Sequence, residues 1–365
     1  MHLRHWRRSC FVGMFAVAMV AAVITGSSGQ APTRKVVPPK GFVPPGTKVP
    51  PGTKVPPGTP PGVQPKAATT QPATASKRGR DLPKPEDVTL ETRDGVSIKA
   101  TFYAGSSEKE SKDSVPIIMI HDLGGQRGDY HSLALYLQSL GHSSIVPDLR
   151  GHGQSTTQRR PDGTTARLDA DKLNKIALEE MWQDVQACKK FLMEKNNEGK
   201  LNIEQLCVIG AEFGSILAVR WAAYDWSLQD LPAYKQGKDV KALVLLSPQA
   251  SVKGVTMRDA LAFPPVQSLL SIMFVAGSKD SKSAAEAKKL YNSLQSHHPK
   301  PPEDEADRLK SLELFLIQPD LSLAGTKLLG AGSGVQENIA KFIRLRLVNR
   351  KSDFAWQERK NPLGN

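Results

Sequence analysis

The chain is short of cysteine, of aromatic residues and, over its first 85 positions, of acid. Three cysteines in 365 residues cannot staple a small loop-rich fold. Cys10 lies in an N-terminal apolar run, while Cys188 and Cys207 fall in a helical and a strand pattern, as buried thiols do. Aromatics make up only 6% of the residues, but 39% hydrophobic and 23% charged is the composition of an ordinary globular core. Acid is nearly missing from residues 1–85, where thirteen Lys and Arg stand against Asp81 alone. Almost all of the formal charge of +13 therefore belongs to that segment, and about one positive charge remains for everything after it. A folded part without a basic stripe of its own excludes nucleic acid as the expected partner. The basic segment suits an anionic envelope surface instead.

Long apolar runs are also few. The run 10–24 follows Arg4, Arg7 and Arg8 and precedes small residues through Ala31, which is the three-part layout of a secretory signal. At about fifteen residues it is shorter than the roughly 20 of a membrane span. Residues 1–31 are therefore expected to be a signal peptide or an uncleaved anchor, and the protein to be exported to the periplasm, envelope or medium. Residues 32–85 carry Pro-Pro-Gly-Thr at Pro44, Pro50 and Pro56 and Pro-Pro-Gly-Val at Pro60. Repeats six apart do not give the Gly-every-third register of collagen, and a segment this rich in proline cannot bury a core. It is expected to be a solvated, semi-extended linker.

From residue 86 to 350 strand and helix patterns alternate, with 351–365 expected as a C-terminal tail. Strand patterns cover 87–92, 96–103, 115–120, 144–146, 205–209, 242–246, 272–276 and 312–317; helical patterns cover 130–140, 173–195, 215–224, 284–296 and 335–348. Asp94-Gly95 between the first two strands favours a hairpin turn, because both central positions need positive φ. An antiparallel pair followed by repeated strand and helix units implies an α/β fold, a mostly parallel eight-stranded sheet with helices on both faces. The connections leave no room for a large cap domain, and 226–238 is the longest candidate for an inserted cap element.

Three motifs at strand ends carry more. His121-Asp122-Leu123-Gly124-Gly125 follows the third strand, Asp148-Leu149-Arg150-Gly151-His152-Gly153-Gln154-Ser155 the fourth, and Gly210-Ala211-Glu212-Phe213-Gly214 the fifth. Their order and placement resemble the α/β-hydrolase superfamily, and the second motif resembles its monoacylglycerol-lipase and serine-aminopeptidase-like branch. The resemblance spans about residues 87–349. It implies an oxyanion hole near the His121–Gly125 turn, with the backbone of Leu123 and Phe213 as its donors, and a nucleophile elbow at Gly210–Gly214. It also implies an acid at Asp280 and a catalytic histidine in the loop after the last strand.

Against that pattern two parts are missing. The elbow holds Glu212 where the resemblance implies serine, and the loop 318–326 contains no histidine; none of the eight histidines lies beyond His298. Relatives that use a carboxylate at the elbow use aspartate, and glutamate moves the attacking oxygen by about an ångström or more. Asp280 without an imidazole to orient is expected to cap a turn or helix. His121 and His152 match structural positions in the resembled turns, and His297 and His298 are expected at the surface. The residues facing the elbow offer no metal-ligand set, no phosphate-cradling glycine loop follows a strand, since 330–334 reads as a flexible connection, and no cofactor is expected. The chain is thus expected to be an exported pseudo-hydrolase that acts by binding a small molecule or a protein. The competing readings are an active hydrolase of ester or amide bonds, including one using Glu212 as general base, and a structural envelope protein.

Overall fold

Repeated apolar runs of five to seven residues, too short for helices and buried end to end, dominate the structure. The computed structural model describes residues 82–105, 111–232 and 234–359, all within one unit spanning Ala75–Asn365. The expected leader and nearly all of the expected linker lie outside the described residues. Ten strands form the main sheet: β1 (Glu86–Glu91), β2 (Val96–Tyr103), β3 (Pro116–Ile120), β4 (Ser143–Pro147), β5 (Thr157–Arg159), β6 (Thr165–Arg167), β7 (Leu206–Ala211), β8 (Val240–Leu246), β9 (Ser271–Val275) and β10 (Leu314–Ile317). The main path runs β1-β2-β4-β3-β7-β8-β9-β10. Pairing is antiparallel for β1 with β2 and β2 with β4, and parallel from β4 through β10. The eight strands expected from sequence are present; the two additional ones, β5 and β6, form a hairpin that pairs with Val96 and Ser97 at the start of β2. Neither is apolar, so hydrophobic periodicity could not reveal them.

Every side chain of β3, β4, β7 and β9 is buried, as a parallel sheet covered on both faces requires. Along β3, Ile118 and Ile120 enter one layer while Ile117 and Met119 enter the other. The first layer receives helices α2 (Trp182–Asn197), α3 (Phe213–Ser227) and α4 (Ser281–Gln295); the second receives α1 (His131–Ser139) and α5 (Val335–Arg346). Each fully buried Leu, Ile or Phe in these layers contributes about 1.5–3 kcal/mol relative to exposure.

Two expectations change. The single helix expected over 173–195 is two, Lys175–Glu179, capped by the Asn174 side chain on Ala177 N, and then α2. The segment 226–238 is not a cap over the strand tips. It joins the end of α3 to the start of β8, and such a connection lies at the N-terminal end of a parallel sheet, opposite the elbow.

At that opposite end a charge network holds the C-terminal residues in place. The fully buried Lys189 ammonium of α2 lies against Asp225, 2.7 Å from Asp239 Oδ2, and donates to Gln236 O at 3.1 Å. Arg359 donates to Glu204 Oε1 and Asp239 Oδ1, both at 2.6 Å, and to Lys235 O. Trp356 Nε1 donates to Leu201 O, and Asn202 Nδ2 to Phe354 O. Residues 351–359, the described part of the expected tail, are therefore part of the domain, because buried carboxylates on Glu204 and Asp239 need the Arg359 guanidinium. Replacing Arg359 by Met should lower the unfolding free energy by about 3 kcal/mol, the low end for breaking a buried pair, since Lys235 still reaches both carboxylates. Urea unfolding at pH 7 reads this, and an unchanged midpoint would show that the network contributes nothing.

Candidate functional site

Where β7 hands over to α3, the backbone turns more sharply than an ordinary helix start allows. Glu212 sits at φ 48°, ψ −108°, one of four non-glycine residues with positive φ among the described residues. Such a conformation costs on the order of 1–3 kcal/mol and persists only where the surroundings impose it. Here they do. Glu212 N donates to Leu246 O at 2.8 Å, and Ser215 N returns to Glu212 O at 3.0 Å. A Cβ on Gly210 would lie 2.3 Å from Gly214 O, and one on Gly214 would lie 2.3 Å from Ile120 O. Both positions must be glycine for β7, α3 and the end of β3 to approach this closely.

The turn projects the Glu212 side chain, half-buried, between two loops. From the β3–α1 loop comes Asp122, which is hydrogen-bonded to the Glu212 carboxyl and accepts the Phe213 backbone N–H at 2.9 Å on Oδ1. From the loop after β10 comes Gly325, at φ 56°, whose backbone N–H donates to Ser247 Oγ at 2.9 Å. A Cβ on Gly325 would stand 2.8 Å from Glu212 Oε1, so the carboxyl rests on the bare backbone of that loop. Burial pushes the Glu212 carboxyl up to about 7, and the charge and hydrogen bond of Asp122 add to the rise while Lys327 opposes it. Glu212 therefore holds a proton up to near-neutral pH. Asp122, by accepting Phe213 N, caps the N-terminus of α3.

Asp280 does not join this pair by hydrogen bond. It caps α4, accepting Ser283 N at 3.2 Å and Ser283 Oγ at 2.7 Å, and those bonds from Ser283 hold its carboxyl below the usual range. His121 and Gly124 of the first turn, and Asp148, Arg150, Gly151, His152 and Gly153 of the second, have positioning roles. His121 Nδ1 donates to Asp122 O at 2.6 Å and its Nε2 accepts Leu149 N at 3.0 Å; burial brings its pKa down to about 4, so the ring is a neutral tie between the two turns. Gly124 has φ 86°, which the turn requires. Asp148 accepts Arg127 N and Gln154 N, and Gly153 packs so closely that a Cβ would lie 2.3 Å from Asp148 Oδ2. Arg150 forks onto Asp184 of α2 and Asp94 of the β1–β2 turn, while Gly151 lets Ala170 approach. His152 Nδ1 donates to Arg150 O at 3.0 Å, and its ring packs edgewise on His121 at 5.1 Å. Among the described residues no histidine ring is hydrogen-bonded to Glu212, and no group of three or more His, Cys, Asp or Glu could hold a metal ion.

The chain matches the α/β-hydrolase fold family over residues 115–269. No curated protein matches it. An esterase of Pyrococcus furiosus superposes with a TM-score of 0.50 at 14% identity, covering 72% of this chain and 91% of that one. A Pyrobaculum calidifontis esterase gives 0.48 at 14%, over 76% and 87%. A Xanthomonas campestris serine hydrolase without a lid gives 0.41 at 14%, over 74% and 92%. The chain has the α/β-hydrolase fold.

In an α/β-hydrolase the side chain at the elbow is the nucleophile, and the N–H of the next residue is an oxyanion donor. Here those two places hold Glu212 and a Phe213 N–H already bonded to Asp122. Sequence reasoning singled out Glu212 and Phe213 and missed Asp122 and Gly325 as its neighbours. An acid inside the His121–Gly125 turn was the available signal for Asp122; nothing local marks Gly325, whose contact depends on how the β10 loop folds back. Because the folded chain binds the Glu212 proton more tightly than the unfolded chain does, the stability that proton contributes is complete below about pH 4.5 and is lost as pH rises through about 7. Unfolding midpoints measured from pH 4 to 8 should therefore fall for the native protein relative to Glu212→Gln. Parallel curves would contradict the raised affinity of Glu212 for its proton.

Proposed function

We propose that this protein does not perform acyl transfer and acts by binding, as a pseudo-hydrolase of the monoacylglycerol-lipase and serine-aminopeptidase-like branch with a degenerate triad. The observation that supports the reading is the state of Phe213 N–H. An acyl oxygen developing negative charge needs that donor free, and loss of one such donor costs about 2.7–4 kcal/mol of transition-state stabilisation. The Asp122 carboxylate already holds it at 2.9 Å and would repel an oxyanion. Glu212 adds to this: its carboxyl rests on Gly325, in the loop where an α/β-hydrolase carries its imidazole.

A second reading has one observation of its own. A carboxyl brought to about 7 is suited to general acid–base work at neutral pH, with Glu212 activating water against an ester or amide. The two readings separate on a simple assay. The full chain, Glu212→Ala and Glu212→Gln are compared on p-nitrophenyl acetate and alanine p-nitroanilide from pH 5 to 9. The binding reading expects equal, background-level rates for all three. A rate that climbs through about pH 7 and vanishes in Glu212→Gln would establish acid–base catalysis instead.

Export belongs to the same proposal, supported by the signal-like residues 1–31 and the basic, Pro-rich 32–85. Among the described residues no helix is long and apolar enough to cross a membrane. Removing 1–31 should leave the protein in the cytoplasmic fraction. Removing 32–85 should release it from an anionic envelope surface into the soluble exported fraction, and unchanged partitioning would count against a retention role for the basic segment, including the structural-protein alternative.

A further inference from the structure

The sheet has an open edge at β1. Among the described residues this strand pairs with β2 alone, so one row of its amide and carbonyl groups points away from the sheet. Beside it α2 presents Ala187, Lys190, Phe191 and Glu194, a stripe at i, i+3, i+4 and i+7. Strand and stripe enclose a groove of about 470 Å³ lined by all six residues of β1. The groove continues past Glu91 into a second cavity of about 710 Å³, where Trp182 and Tyr224 pack with ring centres 4.8 Å apart beside Tyr234.

We propose that this groove receives an extended basic segment of another protein, which joins β1 as an additional strand and lodges an aromatic or apolar residue between Trp182, Tyr224 and Tyr234. The backbone row on β1 supplies main-chain hydrogen bonds over about 20 Å, the length of six residues. The charge of the walls selects the partner. Glu86, Asp87, Glu91 and Glu194 line the groove along β1 against Lys190 alone, while Arg93 and the ion-paired Arg359 line only the second cavity. Asp87 is 3.6 Å from Arg127, whereas Glu86, Glu91 and Glu194 form no ion pair with another described residue. Lysines or arginines on the incoming strand would neutralise three otherwise unpaired carboxylates. A second copy of this chain is the wrong occupant: antiparallel edges would set Glu86 opposite Glu91, parallel edges would set each acid beside itself, and like charges directly across a ladder destabilise it. The site lies away from the elbow and does not depend on the reading of Glu212.

The test uses the full chain and two fluorescein-labelled peptides, Lys-Val-Lys-Val-Lys-Val-Trp and Glu-Val-Glu-Val-Glu-Val-Trp. Fluorescence anisotropy should show the lysine peptide binding in the micromolar range and the glutamate peptide at least about tenfold more weakly. Hydrogen exchange should slow at residues 86–91 in the complex. Glu91→Lys with Glu194→Lys should weaken the lysine peptide about tenfold or more at an unchanged unfolding midpoint, while Glu212→Gln should leave its affinity unaltered. No binding at about 1 mM peptide, equal affinity in the charge-reversed protein, or protection that spares β1 would each overturn the proposal.

Discussion

The left-handed turn at Glu212 constrains the whole upper end of this domain. For the chain to leave β7 and enter α3 there, Gly210 must face Gly214, and Gly214 must face the carbonyl of Ile120. Those contacts leave no volume for a methyl group. They join β7, α3 and β3 by backbone, so the three loops at this end are placed by the sheet and not by their own sequences. The strain at a non-glycine φ of 48° is held by the bond to Leu246 on β8, which ties the turn to a fourth element.

What the turn exposes decides the chemistry. A serine there, with a free amide behind it, would be an acyl acceptor. A glutamate there brings a second carboxyl into reach of Asp122, and two carboxyls in contact cannot both be ionised at low cost. The Phe213 amide donates to Asp122, and burial beside that acid pushes the Glu212 carboxyl up to about 7. The Gly325 loop closes on the same carboxyl. Its lack of a side chain and the presence of Glu212 are complementary features of one packed arrangement, because a Cβ on Gly325 would stand 2.8 Å from the Glu212 carboxyl oxygen.

The opposite end of the sheet is organised by charge. Lys189, fully buried, is compatible with the apolar layer only because Asp225 and Asp239 meet it there, and Arg359 completes the set from the end of the described chain. This arrangement fastens α2 to α3, β8 and the C-terminal residues. A firmly held α2 is in turn what gives the β1 edge a fixed wall, since Lys189 of the network lies between Ala187 and Lys190, which line the groove.

The amino-acid sequence by itself determined the alternation of strands and helices, the strand ends at which His121, Asp148 and Glu212 lie, and the identity of the residue at the elbow. These are local properties: runs such as Pro116–Ile120 are apolar throughout, and glycines two residues either side of Glu212 permit one kind of turn. The hairpin Thr157–Arg159 and Thr165–Arg167 was illegible because polar edge strands carry no apolar period, and the break before Trp182 because no proline or glycine marks it. Only the tertiary structure decided that Asp122 occupies Phe213 N–H, that Gly325 meets Glu212, and that Arg359 reaches Asp239 across 120 positions. Each of these pairs joins segments distant in the chain, and a contact of that kind is set by how the sheet brings loop ends together, which no window of neighbouring residues contains.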